Sequence, residues 1–204
     1  MYRLKQIIIF ILFSFSSKIY AIQYVNLNAT GSNNGTSWTN AWINLQDAID
    51  SASVNEQIWI VAGTYYPTSY PSGSSSSAGT SLTSRDYTFY RSSGSVVLYG
   101  GFAGTENSIN QRDTSSNRVI LSGNIGSVSD PTDNCYHVIC MKGSAVTLNG
   151  LTVSGGYANG SGSVSMSGTF LRNSGGGVYQ INSADVIVEY TTITNNYAER
   201  GGGI

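Results

Sequence analysis

The sequence predicts an all-β protein built as a solenoid of short stacked strands. Three observations lead there. Short apolar runs parted by glycine or asparagine recur along most of the chain: "VVLYGGF", "RVILSGNI", "YHVICM", "VTLNGLTVSGG", "GGGVYQI" and "DVIVEYTTI". Each has strand length, and none is long enough for an ordinary helix. The stretch "VTLNGLTVSGGYA" (146–158) lies over "VIVEYTTITNNYA" (186–198) at an offset of 40. Finally, the glycine triplet 175–177 returns at 201–203, an offset of 26.

Composition agrees. The 204 residues are only 10% charged, with 24 glycines and 14 tyrosines, which suits a turn-rich β protein outside the cell. At 40% hydrophobic, the chain can build a core and is not read as disordered.

The elements are taken in chain order. "MYRLKQIIIFILFSFSSKIYA" has a basic start (Arg3, Lys5), an apolar run from Ile7 to Phe15 and a small residue at Ala21. This is the pattern of a secretory signal peptide over residues 1–21, and the run is too short to span a bilayer comfortably. Export is therefore expected, to the extracellular space or the cell surface. Of the ten basic residues, Arg3, Lys5 and Lys18 leave with it, so the mature charge is 7 − 11 = −4. Nothing basic clusters, which argues against nucleic acid as a partner.

"NLNATGSNNGT" is turn chemistry. In the next stretch Trp42, Leu45, Ile49 and Ala52 fall at i, i+3, i+7 and i+10, one face of an amphipathic helix near Asn40–Ser51. Asn40 or a neighbour is placed to cap it. "EQIWIVAGTYY" then alternates Ile58, Ile60 and Ala62 against Trp59 and Val61, as a strand does. Trp59 therefore points away from the isoleucines, to be exposed or covered by the serine-rich stretch. That stretch, residues 67–84, is rich in Ser, Gly and Pro without periodicity and reads as a long loop.

Within the 40-residue repeat, Val, Thr, Tyr and Ala recur at four positions. Gly155-Gly156 stands opposite Asn195-Asn196. Glycine and asparagine both tolerate left-handed backbone, so one turn geometry is demanded twice by different residues. A coil of three short strands and three turns needs about 26 residues, and "NGSGSVSMSGTFLRNS" is the insertion that lengthens the other offset to 40. Repeats of this kind point to stacked coils. The competing arrangement is a sandwich of antiparallel hairpins, for which the Asn-Gly pairs at Asn34, Asn149 and Asn159 are not neatly flanked by paired strands. Gly201–Ile204 read as the start of a further coil, so the solenoid over 22–204 is expected to be C-terminally incomplete. Its edge would then be open to self-association.

At this point "NLQDAIDSASVNEQIWIVAGTYYP" resembles the N-terminal cap and first coil of the pectin-lyase-like proteins. "VVLYGGFAGTENSINQRD" with "NRVILSGNIG" resembles secreted bacterial β-helix repeat proteins of the surface. "ITNNYAERGGGI" is similar to the repeat of polymorphic outer-membrane proteins. The resemblance implies a right-handed parallel β-helix with an N-terminal capping α-helix. It leaves activity open, because the fold hosts lyases, hydrolases, adhesins and inert stalks.

Lyases of that fold hold calcium with clustered acids and use an arginine as base; its glycosidases use paired or tripled Asp residues. Here Asp86, Glu106, Asp113, Asp130, Asp133, Asp185, Glu189 and Glu199 are scattered. Asp130 and Asp133, in "SDPTDN", read as turn formers. Two couples, Arg85-Asp86 and Arg112-Asp113, would line a sugar-binding groove if they lay on one side of the cylinder; otherwise they make loop salt bridges. His137, the sole histidine, has no nucleophile motif beside it and reads as structural or surface. Trp38, Trp42, Trp59 and the tyrosines of "GTYY" are candidates to stack on sugar rings, with Trp42 assigned to the core.

Export permits a disulfide between Cys135 and Cys140 only if a turn lies between them; two free half-buried thiols is the other reading. No cofactor or metal motif stands out. The expectation is thus a secreted or surface-exposed, non-catalytic protein for adhesion, display or binding of a surface polysaccharide or host glycan. The alternative is a polysaccharide lyase or glycoside hydrolase whose catalytic coils lie beyond Ile204.

Overall fold

Glycine and asparagine punctuation keeps the elements short. The computed structural model describes residues 21–143, 145–182 and 185–204. Apart from Ala21, the expected export signal lies outside the described residues. Among them, no helix is long and apolar enough to cross a membrane.

The first part of the chain runs β1 (Ile22–Val25), α1 (Leu45–Ser51), β2 (Glu56–Val61), β3 (Gly63–Tyr65), β4 (Ser75–Ser76) and β5 (Phe89–Arg91). Next come β6 (Val96–Phe102), β7 (Val119–Ser122), β8 (Ile139–Lys142), β9 (Val146–Asn149), β10 (Leu151–Ser154) and β11 (Tyr157–Ala158). The last part holds β12 (Ser163–Ser165), β13 (Thr169–Leu171), β14 (Val178–Ile181), β15 (Val186–Glu189), β16 (Thr192–Thr194) and β17 (Tyr197–Ala198).

Among the described residues the protein is all-β, with mainly parallel sheets and no closed barrel. One sheet runs β1-β2-β6-β9-β15, a second β3-β7-β10-β16 and a third β5-β8-β14, every pair parallel. A short parallel pair joins β11 to β17, and β4, β12 and β13 form a small antiparallel sheet. From β2 onward the chain visits the first, second and third sheets in that order and then returns to the first.

Register matches the sequence repeat. Val146 pairs with Val186, Thr152 with Thr192 and Tyr157 with Tyr197, each 40 residues apart. Gly155 (φ 81°) and Asn195 (φ 52°) take the same left-handed corner. The glycine triplets also stack, Gly176 N–H on Gly201 O and Gly177 N–H on Gly202 O. The difference between the offsets, 40 − 26 = 14 residues, is taken up by the β12–β13 hairpin.

Like side chains therefore stack on like. Ile58, Leu98 and Leu148 align along the first sheet, and Phe89, Ile139 and Val178 along the third. Together with Leu121 and Val153 of the second sheet they form one buried cluster. Sheets buried on both faces carry near-continuous apolar runs, and β2 is such a case. Trp59 is buried on the outer face, stacked on Phe102 at 4.6 Å and flanked by Tyr24 and Trp38. It is neither exposed nor under the serine-rich segment, because Trp38, carried by the turn-rich segment before α1, lies against it.

Three further expectations change. The helix is Leu45–Ser51 with Asn44 as its cap, the Asn44 side chain accepting from Gln46 N–H, so Asn40 is not the cap. Trp42 precedes the helix: it bridges to Val25, donates its indole N–H to Gln23 and packs at the edge of the core. Leu45, Ala48 and Ile49 carry the buried face onto the core; Leu and Ile together contribute about 4 kcal/mol. Residues 67–84 are not wholly loop, since Ser75–Ser76 form β4 against β12. Polar side chains hid this strand, which pairs through its backbone alone.

Candidate functional site

The four charged candidates occupy two different connections: Arg85 and Asp86 between β3 and β5, Arg112 and Asp113 between β6 and β7. Arg85 donates to Asn134 O and Tyr157 O at 2.7 Å and to Asn159 Oδ1 at 2.8 Å, its guanidinium 4.1 Å from the centre of the Tyr136 ring. Asp86 turns the other way. Its carboxylate is buried, accepts from Thr83 N–H and takes two bonds from Arg172, at 2.7 and 2.8 Å. Arg172 comes from the 159–174 insertion. Sequence reasoning missed it, and no local signal marks it.

Arg112 donates to Gly100 O and to the carbonyl and side chain of Asn149, and lies over Tyr99. Asp113 is exposed. Hydrogen bonds from Ser115 and Ser116 hold its carboxyl well below the usual carboxylate range. These side chains thus tie loops and neighbouring strands together, and the two couples share no bonding partner.

Most remaining acids are engaged in the same way. Asp130 caps the short turn Pro131–Asp133, accepting from Thr132 N–H, and Asp133 accepts from Ser127 N–H. Glu106 gathers the amides of Ala103, Gly104 and Thr105, which lower its pKa despite burial. Glu189 accepts from Asn149 and Glu199 from Asn173. Among the described residues, no group of three His, Cys, Asp or Glu is placed to hold a metal ion.

His137 is buried with Nδ1 3.1 Å from Gly175 O, and burial depresses its pKa to about 4, which keeps it neutral. Cys135 and Cys140 are free and fully buried rather than half-buried. Cys135 packs in the main core and Cys140 in a separate cluster with Tyr90 and Phe170. Burial pushes both thiols up, Cys135 to about 12, so neither is a ready nucleophile.

The segment after β3 builds two clefts. One has about 540 Å³ of open space against Tyr66, Pro67, Ser84, Tyr87, Asn124 and Val128. The other, about 340 Å³, lies against Gln46, Asp50, Ser69, Tyr70, Ser72 and Ser167. Tyr70 of the second cleft packs on Tyr87 of the first, ring centroids 5.6 Å apart. The walls are firmly placed. The Gln46 amide bonds both backbone groups of Tyr90, docking α1 on β5. The Tyr90 hydroxyl donates to Met166 O and so anchors the inserted hairpin.

Of the ring-stacking candidates, Tyr66 reaches a cleft and is 46% exposed. Tyr65 is core, its hydroxyl on Val61 O, and Trp38 and Trp59 belong to the aromatic cluster. Sequence reasoning did not single out Tyr70, Tyr87 or Asp50; the one available signal was tyrosine persisting inside an aperiodic polar segment. Comparison with family models, with curated proteins and with solved structures returns no match to this chain.

Proposed function

We propose that this chain is an exported, right-handed parallel β-helix that binds glycans without cleaving them, in adhesion or display at a cell surface. The observation that carries the reading is the pair of tyrosine-walled clefts on a scaffold of in-register parallel strands. The fixed order in which the chain visits three parallel sheets supports stacked coils, with α1 covering one end. The resemblance of "NLQDAIDSASVNEQIWIVAGTYYP" to the pectin-lyase-like proteins supports the same architecture, and the residue 1–21 pattern supports export.

Ring faces flanked by a few polar groups suit a sugar site. Glycoside hydrolysis ordinarily needs two carboxyl groups about 5–9.5 Å apart across the scissile bond. The two clefts contribute one, Asp50. The test is to pass the mature protein over immobilised neutral and acidic polysaccharides and to assay the same mixtures for new reducing or unsaturated ends. Retention without new ends is the expected outcome. New ends would overturn the non-catalytic reading, and retention on none of the polymers would overturn glycan binding.

A further inference from the structure

The two clefts lie against consecutive stretches of the chain, 66–68 and 69–72, and meet at the Tyr70–Tyr87 ring contact; taken together as one groove, their chemistry selects among glycans. Tyr66 and Tyr87 wall one end, the Tyr70–Tyr87 ring pair stands in the middle, and Asp50 lies toward the other end. Asp50, Tyr90 and Ser92 also line an adjoining hollow of about 290 Å³, together with Arg91 and Ser93. Each cleft is of the ~300–1,000 Å³ size that holds small-molecule ligands.

We infer that this groove takes a neutral polysaccharide chain, with Tyr66, Tyr70 and Tyr87 stacking on sugar rings and Asp50 accepting from sugar hydroxyls. The inference rests on the glycan-binding reading above and adds the class of glycan.

Charge decides the class. Asp50 is exposed at the groove, with one carboxylate oxygen accepting from Gln46 at 2.8 Å. Sugar diols are donors that a carboxylate accepts well, whereas a uronic acid brings a second negative charge to it. The nearby guanidinium groups are committed to the protein itself. Arg85 bonds Asn134, Tyr157 and Asn159, and Arg91 bonds the carbonyls of Ile49 and Ala52 at the end of α1. Arg91 also lines the hollow beside Asp50 and faces that carboxylate, so the two charges offset each other and this end of the groove has no net positive charge to receive an acidic polymer, the kind of mismatch by which a site rejects the wrong partner. The other groups at that end, Ser69, Ser72 and Ser167, are neutral donors and acceptors.

Binding is measured by calorimetry with cellohexaose, xylohexaose and mannohexaose as neutral probes, and with hexagalacturonate and an alginate hexamer as acidic ones. At least one neutral probe is expected to bind more tightly than both acidic ones. Tyr70→Ala should weaken it about fivefold or more, and Asp50→Asn about tenfold. Tyr66→Phe should bind like the parent, and Tyr66→Ala should not. Because Tyr66 is half exposed, its variants keep the test valid if Tyr70→Ala fails to fold. Tighter binding of an acidic probe, or neutral binding untouched by Tyr66→Ala and Asp50→Asn, would overturn the inference while leaving glycan binding in place. No binding to any probe would remove both.

Discussion

The Arg172–Asp86 pair is the point where the inserted hairpin is fastened to the rest of the molecule. Arg172 Nε and Nη2 reach the two carboxylate oxygens at 2.7 and 2.8 Å, and the side chains are 4% and 1% exposed. Nη2 also bonds Ser81 O. Arg172→Met removes the cation and leaves a buried carboxylate with the Thr83 N–H and hydroxyl as its remaining hydrogen-bond donors. Breaking a buried pair from one side costs about 3–5 kcal/mol, because the abandoned charge stays buried. That is a large share of the roughly 5–15 kcal/mol typical of a domain. Asp86→Leu combined with Arg172→Met removes both charges, and the residual cost is the lost bonds to Thr83 and to Ser81 O, about 1–2 kcal/mol together. The assay is urea unfolding followed by fluorescence and circular dichroism, with slopes compared to confirm like transitions. The single variant should lose about 3–5 kcal/mol and the double should recover most of it. A single variant costing under about 1 kcal/mol, or a double costing more than the single, would refute the reasoning.

Other outcomes are expected at the corners and in the core. A Cβ at Gly156 would sit 1.8 Å from Gly176 O, so Gly156→Ala should cost at least about 2 kcal/mol in the same urea assay. Tyr190 holds φ 48° at the corner equivalent to Gly150 (φ 74°), and Tyr190→Gly should raise stability by about 0.5–1 kcal/mol; a loss would show that the strain is absent. His137 is neutral when folded, its pKa near 4 against the usual 6.5. Its contribution is complete above pH 6.5 and is lost as the pH falls toward 4, on the order of 3 kcal/mol in total. His137→Gln should flatten that part of the pH–stability curve, and an unchanged slope would exclude the histidine. Ile187, Val188 and Tyr197 are exposed on the outermost strands, so the protein should associate with rising concentration in sedimentation runs, and Ile187→Lys should reduce this. A monomer at all concentrations would discard the idea.

Sequence alone reveals whatever stacking imposes on the chain itself. A residue in a parallel ladder has a neighbour of the same kind above and below, so Val146 predicts Val186, and Gly155 predicts a residue tolerant of φ > 0 at Asn195. The all-β class, the repeat offset and the position of the insertion are legible for that reason. The helix start is not. Trp42 sits on the same apolar stripe as Leu45 and Ile49, yet its backbone pairs with Val25, and periodicity cannot distinguish a bridge from a first turn. Trp59 is misplaced by alternation, which assumes one wet face. The covering Trp38 comes from a turn-rich stretch whose destination no local pattern gives.

The groove escapes for the opposite reason. Most of its walls lie outside the three parallel sheets, in residues 66–72, 84–87 and 124–128, in α1 and at Ser167 of the 159–174 insertion. A stacked position is fixed by its neighbours, and changing it disturbs every strand in contact. Tyr157 on Tyr197, rings 4.7 Å apart, is such a position. A segment that leaves the stack is released from that constraint and can carry exposed rings such as Tyr66 and Tyr70. Its placement is then set by long-range bonds, Gln46 to Tyr90, Tyr90 to Met166 and Arg172 to Asp86, spanning 44, 76 and 86 residues. In a chain of this architecture the interruptions of the repeat are therefore where binding chemistry can accumulate, and aromatic residues inside them are the first to test.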